Sequence, residues 1–171
     1  TPHFILHRED VPAFLRRREA AAEKLAAAMR RAEKNVRFPR LRLGAEVRLE
    51  QELLDEPDVK KLCYAGTDAL LLEFPFRPLE RRDFETLENM VYKFKIIPVI
   101  AHLERYLEMF DRRDIDRITA LPNVIVQCNT GAFRTFGGRR FVLSLMREGI
   151  RVVLGSDAHN MGERPPEIAE A

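Results

Sequence analysis

Short apolar or alternating segments along the chain each end near a polar residue, a pattern typical of buried strands. Segments of this kind lie at 41–44, 69–72, 96–100, 124–126 and 152–154. The polar residues Glu46, Glu73, His102, Asn129 and Asp157 come after them, at intervals of 27, 29, 27 and 28 residues. This interval matches one strand-helix unit, so the sequence predicts parallel strands joined by helical crossovers.

The segments between the strands carry helix signals. Asp10 is a predicted N-cap, Pro12 falls in the first turn, and an Ala/Arg/Glu-rich helix is expected from Ala13 to Lys34. Its buried side is expected to carry Phe14, Leu25 and Met29. Further helices are predicted over 83–94, 112–120 and 141–148, a turn or short helix over 52–61, and the first turn of another helix over 167–171. In the 83–94 helix, a core-facing stripe is formed by Phe84, Leu87, Val91 and Phe94.

The last predicted strand delivers Asp157 and His159 two residues apart. One carboxylate and one imidazole suit Zn, Mn or Fe better than Mg or Ca. A single Asp after a strand is more often a turn former or helix cap. Its position in a series of strand-end polar residues favours the metal-ligand interpretation, because loops after parallel strands build active sites.

Six metal-binding side chains are expected on one rim of the sheet. They are His3, Glu46, Glu73, His102, Asp157 and His159. One ion takes three or four protein ligands, so six predict two or more ions, with a carboxylate such as Glu46 bridging them. His7 follows no predicted strand and is interpreted as an ordinary hydrogen-bonded histidine.

Two arginines accompany these ligands. Arg105 lies three residues after His102, and Arg164 lies five residues after His159. Each could clamp phosphate oxygens or could simply be a solvated side chain. With two metal ions beside them, the residues suit hydrolysis of a phosphate ester.

Composition narrows the classes of function. The chain has 171 residues, 46% of them hydrophobic, which is enough for one globular domain. Its 29 Lys and Arg against 27 Asp and Glu give a net charge of +2, which argues against nucleic-acid binding. Two cysteines, no apolar run of membrane-spanning length and no signal-peptide pattern predict a cytoplasmic protein without membrane insertion. The chain is expected to be truncated at both ends.

Several motifs resemble those of a known family. They are Gly44-Ala-Glu46, Leu72-Glu73-Phe74-Pro75, Ile100-Ala-His102-Leu-Glu-Arg105-Tyr106, Gln127-Cys-Asn129 and Gly155-Ser-Asp157-Ala-His159-Asn160 followed by Arg164-Pro-Pro. The chain is similar to the bacterial manganese-dependent tyrosine-protein phosphatases of the PHP (polymerase and histidinol phosphatase) superfamily, of the capsule and exopolysaccharide operon type. The resemblance covers the chain from Thr1 to its C-terminus.

The resemblance implies a single domain over 1–171 with an α/β fold, a distorted (β/α)7 TIM-like barrel. It implies two or three Mn ions, with Fe or Zn as alternatives, and a phosphotyrosine protein as substrate, a bacterial tyrosine kinase that controls polysaccharide export. The six residues of the rim correspond to the family's metal ligands, and Arg105 and Arg164 correspond to its phosphate-binding arginines. Family members also begin with a His-x-His strand, which this chain lacks, so the barrel is expected to be without its first strand.

Other functions stay open at this stage. Cys128, Gly131, Arg134 and Thr135 have a spacing that resembles the phosphate loop of cysteine-dependent tyrosine phosphatases. A catalytically incomplete domain of this fold could bind metal or a partner without turnover. The same fold and metals also serve histidinol-phosphate phosphatases and nuclease-like enzymes.

Overall fold

Six parallel strands form one sheet in the computed structural model, which describes residues 1–32 and 37–166. The strands are β1 (His3–Phe4), β2 (Glu46–Arg48), β3 (Ala69–Glu73), β4 (Ile97–Ile100), β5 (Ile125–Asn129) and β6 (Arg151–Gly155). Each strand pairs with its neighbours in sequence order, and every pairing is parallel. The predicted parallel α/β architecture is confirmed, but within the described ranges the sheet is open and does not close into a barrel.

Within the described ranges, four α-helices connect the strands or lie beside them. They are α1 (Val11–Arg31), α2 (Arg81–Tyr92), α3 (Arg112–Thr119) and α4 (Phe136–Arg147), and short 3₁₀ helices cover Gln51–Asp55, Val59–Leu62, Leu103–Tyr106 and Thr130–Arg134. The predicted cap of α1 is confirmed, because the Asp10 side chain accepts the Ala13 N–H at 2.6 Å. The expected end of that helix at Lys34 and the expected turn over 167–171 lie outside the described residues.

The prediction of a strand at 41–44 is wrong. Residues 41–44 have no regular structure, and β2 begins two residues later, so Glu46 lies inside the strand. The Leu43 carbonyl accepts a hydrogen bond from the Ala65 N–H in a loop. Gly44 lies so close to the Tyr64 ring that a Cβ would approach it to 2.6 Å. These contacts with the loop take the place of a strand pairing at 41–44.

Two further predictions differ from the structure in their boundaries. Helix α4 begins at Phe136, five residues before its predicted start, because the Thr135 side chain accepts the Gly138 N–H and caps it. Strand β5 extends to Asn129, which therefore lies in the strand and not after it. The C-terminus of α4 is followed by Gly149 at φ 79°, a left-handed conformation that glycine adopts without strain.

The main core lies between the helices and one face of the sheet. It contains the predicted stripe of α2, in which Phe84, Leu87 and Val91 are buried, and alternate strand residues such as Leu70 and Leu72. The opposite face carries a smaller cluster of Leu71, Val99 and Ala101. The prediction for α1 is only partly correct: Phe14 is buried, but Leu25 is 50% exposed.

None of the described helices is long and apolar enough to span a membrane.

Candidate metal centre

Four of the predicted ligands come together across β1 to β4. His3 and Glu46 are register partners in β1 and β2, Glu73 ends β3, and His102 lies two residues after the end of β4. His102 Nε2 is 3.2 Å from Glu46 Oε1 and 3.4 Å from Glu73 Oε1. His3 Nε2 is 3.8 Å from Glu46 Oε2. Pairing of adjacent parallel strands therefore brings residues up to 99 positions apart into one cluster.

Burial and charge give this cluster a distinct protonation state. Glu46 and His102 are both buried. Burial alone would lower the pKa of His102, but its hydrogen bonds to Glu46 and Glu73 raise it to about 9. Burial likewise opposes ionisation of Glu73, yet the hydrogen bond and charge of His102 lower the pKa of that carboxyl. These hydrogen bonds therefore favour the protonated form of His102.

The same donors fit a divalent transition metal. One ligand atom from each of His3, Glu46 and Glu73 lies within 4.8 Å of the others. Ligands about 2.0–2.2 Å from one ion are separated by about 3 Å, close to the 3.2 and 3.4 Å contacts of His102. A mixed set of imidazoles and carboxylates suits Mn, Fe or Zn. Binding would require His102 to release its proton.

The remaining two predicted ligands lie after β6 and contact both arginines. Arg105 Nη1 is 3.2 Å from Asp157 Oδ2, and Arg164 Nη2 donates to the same oxygen. His159 Nδ1 donates to the Asp157 carbonyl at 2.9 Å, and its Nε2 lies 3.3 Å from Arg164 Nη1. Asp157 therefore already carries two guanidinium partners.

The two groups of predicted ligands meet at the histidines. The rings of His3 and His159 are 5.2 Å apart between centroids. A cavity of about 550 Å³ is lined by ligands of both groups, namely His3, Glu46, His102, Asp157 and His159. A second cleft of about 480 Å³ contains Arg105, Arg164 and Arg134, and shares Ser156 and Asp157 with the first. An anion in this space could take the place of Asp157 as a partner of Arg105 and Arg164.

The cysteine-based alternative is not supported by the structure. Cys128 is fully buried within β5, and burial raises the pKa of its thiol, with the charge of Glu104 adding to the effect. A nucleophilic thiolate needs a lowered pKa and access to substrate. His7 is also consistent with its interpretation as an ordinary histidine, because its Nδ1 lies 2.9 Å from Glu50 Oε1.

The Gln127-Cys-Asn129 motif, to which the sequence assigns no role, supports the cluster. His102 has a left-handed backbone (φ 33°), and its N–H donates to Gln127 Oε1 at 2.7 Å. Gln127 Nε2 in turn donates to Asn129 Oδ1, and the Asn129 N–H donates to Glu104 Oε1. Gln127 and Asn129 are two positions apart in β5 and so share a face of the sheet, but the sequence does not show which groups their amides meet.

Curated relatives of the chain carry the name of a tyrosine-protein phosphatase. Tyrosine-protein phosphatase CpsB of Streptococcus agalactiae serotype III (strain NEM316) is 26% identical over 151 residues, covering 82% of this chain and 61% of the relative. The serotype V protein of the same name (strain ATCC BAA-611 / 2603 V/R) gives the same figures. The chain thus spans about 61% of the length of the curated relatives it matches.

A solved structure is similar in fold. It belongs to crystal structures of YwqE from Bacillus subtilis and CpsB from Streptococcus pneumoniae, described as unique metal-dependent tyrosine phosphatases. The TM-score is 0.56 and the identity 26%, over 75% of this chain and 53% of that one. The family profile described as capsular polysaccharide synthesis, CpsB/CapC, matches residues 1–171. The chain therefore belongs to the CpsB/CapC family.

Proposed function

We propose that the whole protein is a metal-dependent phosphatase that hydrolyses phosphotyrosine on proteins. The observation that carries the proposal is the cluster of His3, Glu46, Glu73 and His102, which lies beside two arginines that share one Asp157 oxygen. The names of the relatives support the choice of phosphotyrosine. The substrate is a bacterial tyrosine kinase that controls capsule or exopolysaccharide synthesis, and the reaction takes place in the cytoplasm, where ATP-dependent phosphorylation occurs.

The proposed fold of the whole protein is a distorted, seven-stranded (β/α) barrel of PHP type. Residues 1–171 form part of one such domain. The order of six parallel strands and the second apolar cluster of Leu71, Val99 and Ala101 support this proposal, since a barrel needs apolar side chains on its inner face. The site would then lie at the C-terminal rim, where the loops of such barrels build active sites.

In the proposed mechanism two or three Mn ions, with Fe or Zn as alternatives, would be held by His3, Glu46, Glu73, His102, Asp157 and His159. The bound ions would lower the pKa of a water and offset the charge of the phosphate. The two carboxylate oxygens of Glu46 approach His3 and His102 separately, so Glu46 would offer one oxygen beside each histidine. Arg105 and Arg164 exchange their contacts with Asp157 for the phosphate oxygens and orient the phosphate for in-line attack.

The test is hydrolysis of a phosphotyrosine peptide by the full-length protein with Mn. We expect activity to stop with a chelator and to fall at least about 100-fold in His102→Ala, since even residues that only support metal ligands cost 10–100-fold. Cys128→Ser serves as the control and retains activity. Hydrolysis that survives chelation but is lost in Cys128→Ser would overturn the proposal. Metal binding without any hydrolysis would indicate a metal-binding domain without turnover.

A further inference from the structure

Three aromatic rings form a stack that runs from the core to the surface beside the candidate metal centre. Phe110 and Tyr106 are buried and stack with centroids 4.7 Å apart and planes 14° apart. Phe76 continues the stack 4.9 Å from Tyr106, at 23°. Phe74 supports it from the side, with edge contacts to Tyr106 and Phe110. Phe76 is the outer end of this aromatic stack and is 51% exposed.

Phe76 adjoins both parts of the candidate site. Its ring lies 6.1 Å from the His102 ring, with planes only 19° apart. The Arg105 guanidinium carbon is 4.9 Å from the Phe76 centroid, while Nη1 of the same arginine is 3.2 Å from Asp157. An exposed aromatic ring is thus in contact with the side chain proposed to bind phosphate.

We propose that Phe76 is the platform on which the aromatic ring of the substrate stacks, and that it selects aryl phosphates over alkyl phosphates. This inference rests on the proposed phosphatase function. A phosphate held by Arg105 keeps its organic group close to that guanidinium, which Phe76 already contacts. The phenyl group of phosphotyrosine is long enough to extend from the phosphate over the neighbouring ring, whereas the short alkyl group of phosphoserine is not.

The stack below Phe76 makes the platform rigid. Tyr106 is anchored by its hydroxyl, which donates to the buried Phe74 carbonyl at 2.8 Å. Phe76 therefore has a fixed ring on its inner side, and substrate binding needs little ordering of its side chain. Offset-stacked or edge-to-face aromatic pairs with centroids about 4.5–7 Å apart are attractive beyond the area they bury. The exposed part of the ring offers that contact to an aromatic substrate.

The test compares benzylphosphonate and methylphosphonate, which carry a phosphonate that cannot be hydrolysed, as ligands of the Mn-loaded full-length protein by calorimetry. We expect benzylphosphonate to bind about fivefold more tightly or better, the factor expected for one aromatic pair and its buried area. Phe76→Ala should weaken the binding of benzylphosphonate more than that of methylphosphonate and so abolish this preference, and Phe76→Tyr should restore it. Phe136→Ala, which removes a ring that is 82% exposed on α4, is the matched control and should keep the preference.

The outcomes separate this inference from the proposed function. Equal affinity of the native protein for both phosphonates overturns the platform even if phosphotyrosine is hydrolysed. Equal losses of both in Phe76→Ala also overturn it, because Phe76 would then act only by positioning Arg105. Binding of neither phosphonate overturns the phosphatase proposal together with the platform. A preference that Phe76→Ala abolishes, without hydrolysis of any phosphotyrosine peptide, supports the platform and contradicts the activity.

Discussion

The side-chain carbonyl of Gln127 accepts the backbone N–H of His102 at 2.7 Å. The Gln127 amide is oriented at its other end by Asn129, to which it donates at 3.0 Å. His102 has a left-handed backbone that residues other than glycine adopt at a cost. Gln127 therefore fixes the direction in which His102 presents its ring to Glu46 and Glu73.

Replacing Gln127 should weaken metal binding although it is not a proposed ligand. In Gln127→Ala the buried N–H of His102 loses its acceptor, and we expect Mn affinity to fall about 10-fold, as for other residues that orient metal ligands. The measurement is titration of Mn followed by electron paramagnetic resonance. Gln51→Ala, at an exposed position, is the control. Affinity within about twofold of the native protein would show that His102 holds its orientation without this bond.

Helix α1 should contribute to stability mainly through its first turns. Phe14 is buried and packs edge-on against Phe4 with centroids 5.2 Å apart. We expect Phe14→Ala to lower the free energy of unfolding by about 3–5 kcal/mol. Leu25→Ala should change it by no more than about 0.5 kcal/mol, because that side chain is already half exposed. Urea denaturation measures the free energy of unfolding of both variants. A similar loss in Phe14→Ala and Leu25→Ala would mean that the later turns of α1 are also packed in solution.

The ion pair of Asp83 and Arg77 should make stability depend on acid pH. Burial alone would raise the pKa of Asp83, but two hydrogen bonds from Arg77, at 2.6 and 2.9 Å, and one from the Glu80 N–H lower it. A depressed pKa in the folded state stabilises the protein above the unfolded pKa of about 3.9. This contribution is lost as pH falls through the folded value.

Asp83→Asn should therefore cost about 2 kcal/mol at neutral pH, the typical value of a charged hydrogen bond. The difference from the native protein should begin to shrink as pH falls below about 3.9, where the Asp83 carboxyl of the unfolded chain becomes protonated, and should become small below the lowered pKa of the folded state. Chemical denaturation of the native protein and of Asp83→Asn, at neutral pH and below about pH 3.9, measures this difference in stability. Asp116→Asn removes an exposed i,i+4 pair with Arg112 and should change stability little at either pH, because solvent screens that pair. A cost in Asp83→Asn that does not change with pH would contradict this explanation.

The arginines on Asp157 should determine phosphate affinity. Arg105→Ala and Arg164→Ala each remove a charged donor, and we expect inorganic phosphate to bind the Mn-loaded protein about 10-fold more weakly in each. Lysine at either position should restore only part of the affinity, because it lacks the planar fork of donors. Arg112→Ala is the control, since Arg112 is exposed and paired with Asp116. Phosphate affinity is measured by calorimetry. If both alanine variants bind phosphate as tightly as the native protein, these arginines do not bind phosphate.

The sequence was most informative where one physical rule decides the outcome. Parallel strands place equivalent positions next to one another, so the common interval was enough to bring Glu46, Glu73 and His102 together. The strand lies at Glu46–Arg48 and not at 41–44, yet Glu46 is in the cluster. The interval between ligands depends on the length of the whole strand-helix unit and not on the strand boundaries. The roles of these residues as ligands remain a prediction.

Other features depend on contacts that periodicity does not encode. Helical spacing identifies the apolar side of α1 but not where the core beneath it ends, and Leu25 lies beyond that end and is half exposed. His102, whose N–H binds Gln127, has a left-handed backbone. The sequence does not indicate this conformation, because the position is not occupied by glycine. The platform role of Phe76 depends on a stack of rings brought together by the fold.

The aromatic stack also offers an optical probe. The chain contains no tryptophan and three tyrosines, so a Phe76→Trp variant would carry a single indole. That indole would lie against Tyr106 on one side and near the Arg105 guanidinium, next to the cluster that we propose binds Mn. Because Mn(II) is paramagnetic and quenches nearby fluorophores, the emission of this variant would follow metal loading and the arrival of an aromatic ligand in real time.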